Sequence, residues 1–495
     1  MSGKGELVVV EVRKKEVVAA GLPMQEHLLP LSNLDLLLPP VDVAVFFCYK
    51  NPTTTTTRLT GKEGGLLFTF ASMVYVLKKA MSQALVSYYP FAGEVVHNTV
   101  GEPQLLCNNR GVDFIEAFAH VELQGLNFYN PDDSIEGKLV PKKKQGVLSV
   151  QATELKCGGL VVACTFDHRV ADAYSTNMFL VSWAEMAHDK QLSLLPSIGR
   201  SILSPRQPGW YDPFLDDMYV PVSALPPLPK NTKPNVDELI SRIYYIEAKV
   251  LKSGCGRCNG GGAAVAVAGC KGRSSLANHG TSGRGKTKLE AFSAFLWKLV
   301  AAREAERGKI SRMGIVVDGR MRLREADADS KRATLMDAYF GNVLSIPFGK
   351  ERVGDLKEKP LSWVAEAVHD CLENAATKEH FLDLIDWVEA HRPEPALAKI
   401  YAGSSGKEDD GPAFVVSSGR QFPVSKVDFG WGRPTFGSYH FPWGGEAGYV
   451  MPMPSPLQNG DWIVYMHLLK QQLKFIETKA AHVFRPLTFD YLNLN

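Results

Sequence analysis

Leu160-Val161-Val162-Ala163-Cys164-Thr165-Phe166-Asp167-His168-Arg169-Val170-Ala171-Asp172 runs from an unbroken apolar stretch into a histidine, with an aspartate four residues beyond it. Consecutive apolar residues without polar alternation predict a buried strand over Leu160 to Phe166. The apolar spacing that follows predicts a helix from Ala171 to Ala187. His168 therefore falls at a strand-to-helix junction, where a rigid scaffold presents side chains to a cleft. Histidine is the residue whose ordinary pKa suits proton transfer near neutral pH. Alone, the His-x-x-x-Asp spacing says little, since average composition produces it about once in a couple of chains of this length.

Working outward, strands are expected over Val147 to Leu155, Leu7 to Val12 and Val43 to Tyr49. Phe70, Met73, Val74, Leu77, Met81 and Leu85 keep the 3.6-residue period and predict a helix from Phe70 to Tyr88. From Ser204 to Pro234 the chain turns rich in proline (Pro221, Pro226, Pro227, Pro229), which predicts a crossover linker and not a core element. Beyond it, helices are expected over Lys288 to Glu306, Leu361 to Asn374, Leu382 to Glu389 and Lys470 to Ala480. The accompanying strands are Ile243 to Ile246, Gly314 to Val317, Phe414 to Val416, Gly448 to Met451 and Trp462 to His467. Strands and helices mix in both halves, the pattern of an α/β layered fold.

At 495 residues the chain exceeds the size of a single growing core, so two domains are expected. The division falls at 1–203, a linker at 204–235 and a second domain at 236–495. Within the second domain, Cys255, Cys258, Cys270 and His279 superficially offer a zinc set. The surrounding Gly260-Gly261-Gly262 and Ser274-Ser275 composition instead predicts a flexible insert over about 253–285, with no metal.

Net charge is +2, from 55 basic and 53 acidic residues, which argues against a nucleic-acid footprint. No apolar run approaches the roughly 18 residues of a membrane span, and the N-terminus has no signal-peptide core, so a cytoplasmic protein without a membrane partner is expected. The eight cysteines show no framework and are expected to be reduced thiols.

A second motif, Asp428-Phe429-Gly430-Trp431-Gly432, is followed by Arg433 and Pro434 and predicts a tight turn built on its two glycines. It is not a kinase Asp-Phe-Gly, because the catalytic-loop aspartate, Gly-rich loop and strand lysine of a kinase are missing. With His168-x-x-x-Asp172 it resembles the paired signatures HxxxD and DFGWG of the BAHD family of plant acyl-CoA-dependent acyltransferases, complete and in order. Tyr88-Tyr89-Pro90-Phe91-Ala92-Gly93, Asn108-Asn109-Arg110-Gly111-Val112, Asp318-Gly319-Arg320-Met321-Arg322-Leu323 and Phe340-Gly341-Asn342 extend the resemblance along most of the chain.

The resemblance implies two chloramphenicol-acetyltransferase-like domains with mixed sheets and an active-site channel at their interface. It makes Nε2 of His168 the general base, with no covalent acyl-enzyme, and expects an oxyanion donor from the Trp431 region. Asp172 is implied to pair with Arg320 of the other half and not to serve a Ser175 nucleophile. Asp428, Gly430 and Gly432 become architectural, bracing the second domain and the coenzyme A mouth. Lys286-Thr287-Lys288, before a helix start that suits anions, stands where the family meets coenzyme A. Acyl-CoA would be a co-substrate, with no tightly bound cofactor and a monomeric chain.

For the acceptor, the positions that grip a shikimate or quinate carboxylate in the family correspond to Asp42-Val43 and Gln421, although Arg420 stands one place away. The segments Ser32-Asn33-Leu34-Asp35-Leu36-Leu37-Leu38-Pro39-Pro40 and Phe441 to Tyr449 look most like the coniferyl-alcohol acyltransferase and hydroxycinnamoyltransferase-like subgroup. A neutral phenylpropanoid alcohol is thus the leading expectation. N-acylation of a polyamine or agmatine-type amine held by Asp42 or Glu446 is the alternative. A binding-only relative is the third reading, and the intact His168 and Asp172 argue against it. His380 and His391 are expected to be ordinary histidines.

Overall fold

The apolar run forms the strand Leu160–Asp167, with every residue buried. A computed structural model describes residues 8–52, 68–224, 238–252, 286–325, 330–402, 410–443 and 447–494. The strand lacks alternation because it lies inside a six-stranded mixed sheet. In order, the sheet runs Val10–Val18, Val112–Ala119, Leu148–Leu155, Leu160–Asp167, Asp42–Tyr49 and Phe436–His440. Val112–Ala119 and Leu148–Leu155 are parallel, and the other neighbours are antiparallel. The helices Phe70–Ser87 and Ala173–Ala187 pack together, tied where Trp183 Nε1 donates to the Leu77 carbonyl at 2.9 Å. Thr69 and Ser72 cap the first of them reciprocally, which fixes its start.

The second sheet has seven strands in the order Phe348–Arg352, Ile310–Ile315, Asp410–Val416, Gly448–Pro454, Trp462–Leu469, Leu239–Ile246 and Arg485–Pro486. It is also mixed, with Asp410–Val416 parallel to both of its neighbours. The helices Lys288–Arg303, Leu361–Glu373 and Lys470–Lys479 bury their apolar residues in this half's core.

Three departures from expectation have physical reasons. The first strand runs to Val18, well past Val12, because its charged residues lie exposed on a sheet edge while the backbone stays paired with Val112–Ala119. The proline-rich stretch is not only a linker: Leu215–Met218 is helical and Tyr219–Pro221 pairs with Ala396–Ala398. Leu215, Met218 and Tyr219 are buried there in a third core cluster. The remainder of that stretch, 225–237, lies outside the described residues.

The third departure concerns the halves themselves. Phe436–His440 belongs by chain order to the second half, yet it completes the first sheet against Asp42–Tyr49. Conversely, Leu31, Leu34, Leu36 and Leu37 join the third cluster, whose other members come from residues beyond 200. A division by chain position is therefore not a division in space at these segments.

The crossing strand fits only because residue 437 has no side chain. A Cβ there would lie 2.7 Å from Phe47 Cδ1 and 3.0 Å from the Phe46 carbonyl oxygen. Gly437→Val should lift the strand from its neighbour and cost about 1–3 kcal/mol, read as a lower denaturation midpoint with an unchanged slope.

Candidate active site

His168 sits immediately after the buried strand. Its amide donates to the Val41 carbonyl at 3.0 Å, and its carbonyl accepts from Asn342 Nδ2 at 2.9 Å. The turn is closed by Asp167, whose carboxylate accepts the Arg169 amide at 3.0 Å and the Arg169 guanidinium at 3.0 and 2.7 Å. The Nδ1 atom of His168 is buried without a hydrogen-bond partner among the described residues, so Nε2 is the nitrogen presented to the cavity that this residue lines.

Asp172 caps the following helix, accepting the Ser175 amide at 2.9 Å. Its carboxylate also takes Arg320 Nη1 at 2.8 Å, Arg320 Nη2 at 3.2 Å and the Val343 amide at 3.2 Å. The ion pair expected between Asp172 and Arg320 is present, and both side chains are almost fully buried. Burial works against the guanidinium's charge, but Asp172 and Asp318 outweigh it and hold the Arg320 pKa above its ordinary value. Arg320 also stacks over the Tyr174 ring at 4.4 Å. Ser175 is unavailable as a nucleophile: it is buried, donates to the Gly341 carbonyl at 2.8 Å, and accepts from the Gly341 amide and Arg320.

The cavity beside His168 holds about 240 Å³. A single water needs roughly 10–15 Å³, so this is ligand-sized space and not a packing defect. Val41, Val43 and Phe166 wall it from the first half, and Tyr439, Phe441, Trp443 and Tyr449 from the second. Arg420 and Gln421 also line it, and with Tyr174 and Asn177 they continue into a surface groove. The Asp318 carboxylate faces the cavity 3.2 Å from Arg320 Nη1. Burial, and then the nearby Asp172 charge, push its pKa upward despite that arginine.

Several expected site residues lie elsewhere. Trp431 does not line the cavity: its ring packs 6.0 Å from Tyr49 and 5.6 Å from Phe429. Tyr49 is seven strand residues from Asp42, the register partner of Asp167, which puts Trp431 about 20 Å from the histidine. An oxyanion donor from the indole is therefore ruled out by distance. Asp428 has the architectural geometry instead, since its Oδ1 accepts the Gly430 amide at 2.8 Å and the Gly432 amide at 3.0 Å. Both glycines have φ above +100°, which side chains other than glycine rarely adopt.

Asp42 also misses the cavity. Alternate residues of a strand face opposite sides, so Val41 and Val43 point inward while Asp42 pairs with Lys143 at 3.1 Å. Lys286, Thr287 and Lys288 line neither cavity nor groove. Lys286 is bonded to Glu366, and Thr287 shares a capping box with Glu290, whose carboxylate already serves the helix N-terminus. Gln421 is where it was expected, at the cavity, with Arg420 beside it. Glu446 and the cysteine and glycine insert lie outside the described residues, among which no cluster fit to hold a metal occurs.

Asn342 and Asp35 stand within Phe340-Gly341-Asn342 and Ser32 to Pro40, segments that carry the family resemblance, but which polar atoms meet there depends on the fold.

The chain is thus a two-sheet α/β protein whose cleft carries a histidine at its wall and a fully bonded buried aspartate beside it. The profile of the Transferase family matches residues 8–483, and the chain belongs to this family, that of the BAHD acyltransferases. Among similar proteins, shikimate O-hydroxycinnamoyltransferase of Nicotiana tabacum is 26% identical, the alignment covering 94% of this chain and 98% of the relative. An Avena sativa hydroxycinnamoyl-CoA:5-hydroxyanthranilate N-hydroxycinnamoyltransferase is also 26% identical, over 97% and 100%. Vinorine synthase shares the fold at a TM-score of 0.62 and 17% identity, over 97% of this chain and 99% of the other. F. graminearum TRI101, solved with coenzyme A and T-2 mycotoxin, gives 0.66 and 12%, over 92% and 99%.

Because Trp431 braces a core far from His168, Trp431→Ala should cost about 3–5 kcal/mol of stability. Turnover per folded molecule should stay within a few-fold of wild type at a temperature where both are folded. A hundredfold loss of kcat in the folded protein would return the indole to the reaction.

Proposed function

We propose that this protein transfers an acyl group, hydroxycinnamoyl or similar, from coenzyme A to the hydroxyl of a small aromatic acceptor in plant specialised metabolism. The observation that carries the reading is the placement of His168 in an aromatic-walled cavity lined from both halves of the chain, with one ring nitrogen buried and the other presented inward. Nε2 takes the acceptor proton as its oxygen attacks the thioester carbonyl, so a C–O bond forms while the carbonyl electrons move to oxygen. Collapse of that intermediate breaks the C–S bond, and the imidazolium returns the proton to the departing thiolate. No acyl-enzyme is needed, and Ser175 is not placed to form one. Coenzyme A in solved neighbours of the same fold supports acyl-CoA as co-substrate.

For the acceptor, the walls of Phe166, Tyr439, Phe441 and Tyr449 favour an uncharged aromatic alcohol. A second reading is favoured by Arg420, which lines the cavity and has no ion-pair partner among the described residues. It could hold the carboxylate of an acidic acceptor, with the cation supplied from the position next to Gln421. For the amine reading, Asp42 faces away and the lining carboxylates Asp172 and Asp318 both bond Arg320, while Glu446 lies outside the described residues and N-acylating relatives keep the reading as an alternative.

Release of free coenzyme A thiol, measured with several acyl-CoA donors against coniferyl alcohol, shikimate, spermidine and agmatine, tests the assignment. His168→Ala should lower kcat by about 10²–10⁴-fold while leaving acyl-CoA binding nearly unchanged, and undiminished turnover would overturn the mechanism. Arg420→Gln separates the acceptors. Loss of kcat/KM confined to shikimate, by about tenfold or more, supports the acidic reading, and no change with any acceptor removes it.

A further inference from the structure

Asp35 is completely buried in a short helical turn, Asp35–Leu37, far in sequence from His168. Its Oδ1 accepts both the Asn342 amide, at 2.7 Å, and the Asn342 side-chain Nδ2, at 2.9 Å. Oδ2 accepts the Ser32 amide at 2.9 Å and the Ser32 hydroxyl at 2.8 Å, and Arg200 Nη2 lies 3.5 Å away. Arg200 is itself held by the Tyr339 hydroxyl at 3.1 Å and by the Phe340 carbonyl.

The Asn342 Nδ2 group continues the chain, donating to the His168 carbonyl at 2.9 Å and the Arg169 carbonyl at 3.2 Å. All three of its partners, a carboxylate and two carbonyls, accept only, so the orientation of the amide is fixed. Oδ1 of Asn342 is thereby left as a buried acceptor without a partner. If the amide inverted, its oxygen would oppose three acceptors.

We infer that Asp35 is a positioning residue for the transfer reaction. Its carboxylate locks the Asn342 amide, and the locked amide pins the peptide carbonyls of His168 and Arg169 and so sets where the imidazole stands. The role rests on His168 as general base. The charged groups around the histidine include Asp167 and Arg169 of its own turn, Asp42 and Lys143 beside that turn, Asp172 on the following helix, Asp318, Arg320 and Arg420 from the second half, and Asp35 and Arg200 behind Asn342.

The test is steady-state kinetics, normalised to folded protein, on Asp35→Asn and on Asp35→Asn combined with Arg200→Met. In the single variant kcat should fall at least tenfold with KM for acyl-CoA within twofold. A role confined to folding would lower the folded fraction and leave kcat per folded molecule near that of wild type. The double variant strands no buried guanidinium and so stands in if the single one does not fold. Its kcat should remain at least tenfold down. Wild-type kcat in the double variant, or in a folded single variant, would overturn the inference. If His168→Ala is inactive while both Asp35 variants behave as wild type, this inference alone fails. Retained turnover in His168→Ala removes the base itself.

Discussion

Asp172 and Arg320 meet at 2.8 Å where almost no water reaches either side chain, and the cavity is built around that contact. Removing two charges from water costs several kcal/mol per ion, recovered only if their remaining hydrogen-bonding capacity is satisfied. Here it is. Asp172 also accepts the Ser175 and Val343 amides, and Arg320 also donates to Ser175 Oγ, Asp318 and the Gly341 carbonyl. These partners lie on the helix that Asp172 caps, at Asp318 and on the Gly341 to Val343 segment, so the pair ties the two halves together.

The Gly341-Asn342-Val343 tripeptide is where this constraint reaches the chemistry. Gly341 bonds Ser175, Asn342 bonds Asp35 and the His168 carbonyl, and Val343 bonds Asp172. Three consecutive residues of the second half thus hold the strand end, the helix start and an N-terminal turn of the first. With Phe436–His440 inserted into the first sheet, the halves interlock at both the site and the sheet edge. A cleft made this way is held by these polar contacts together with the apolar cluster that both halves share.

What was legible in the sequence follows from local physics. The Leu160 run, the 3.6-residue period of Phe70 to Ser87 and the paired glycines of the Asp428 turn each carry their own signal, and each forms close to where it was expected. The strand Phe436–His440 carries little: it is five residues long and its partner lies nearly four hundred positions away. Asp42 missed the cavity by a one-residue offset: Asp42 and Val43 differ only in strand parity, and parity is set by pairing partners that sequence does not display. Lys286 to Lys288 lie away from the cavity, at a helix start where the capping Glu290 supplies a negative charge.

Three carboxylates around the histidine share one arrangement. Asp167 pairs with Arg169 at 2.7 Å, Asp172 with Arg320 at 2.8 Å, and Asp35 faces Arg200 at 3.5 Å. In each case the site receives a dipole in place of a net charge, and a dipole's field falls off faster with distance than that of an unpaired ion. A residue that must take a proton from one substrate and return it to the leaving group of another is poorly served by a strong field of either sign, because a field that helps one step opposes the other. Pairing these three carboxylates with arginines gives the turn its rigidity from charged hydrogen bonds while reducing that one-sided bias. Asp318, which shares Arg320 with Asp172, and Asp42, which pairs with Lys143, fall outside the pattern, so the three ion pairs supply the rigidity of the site and only part of its electrical balance.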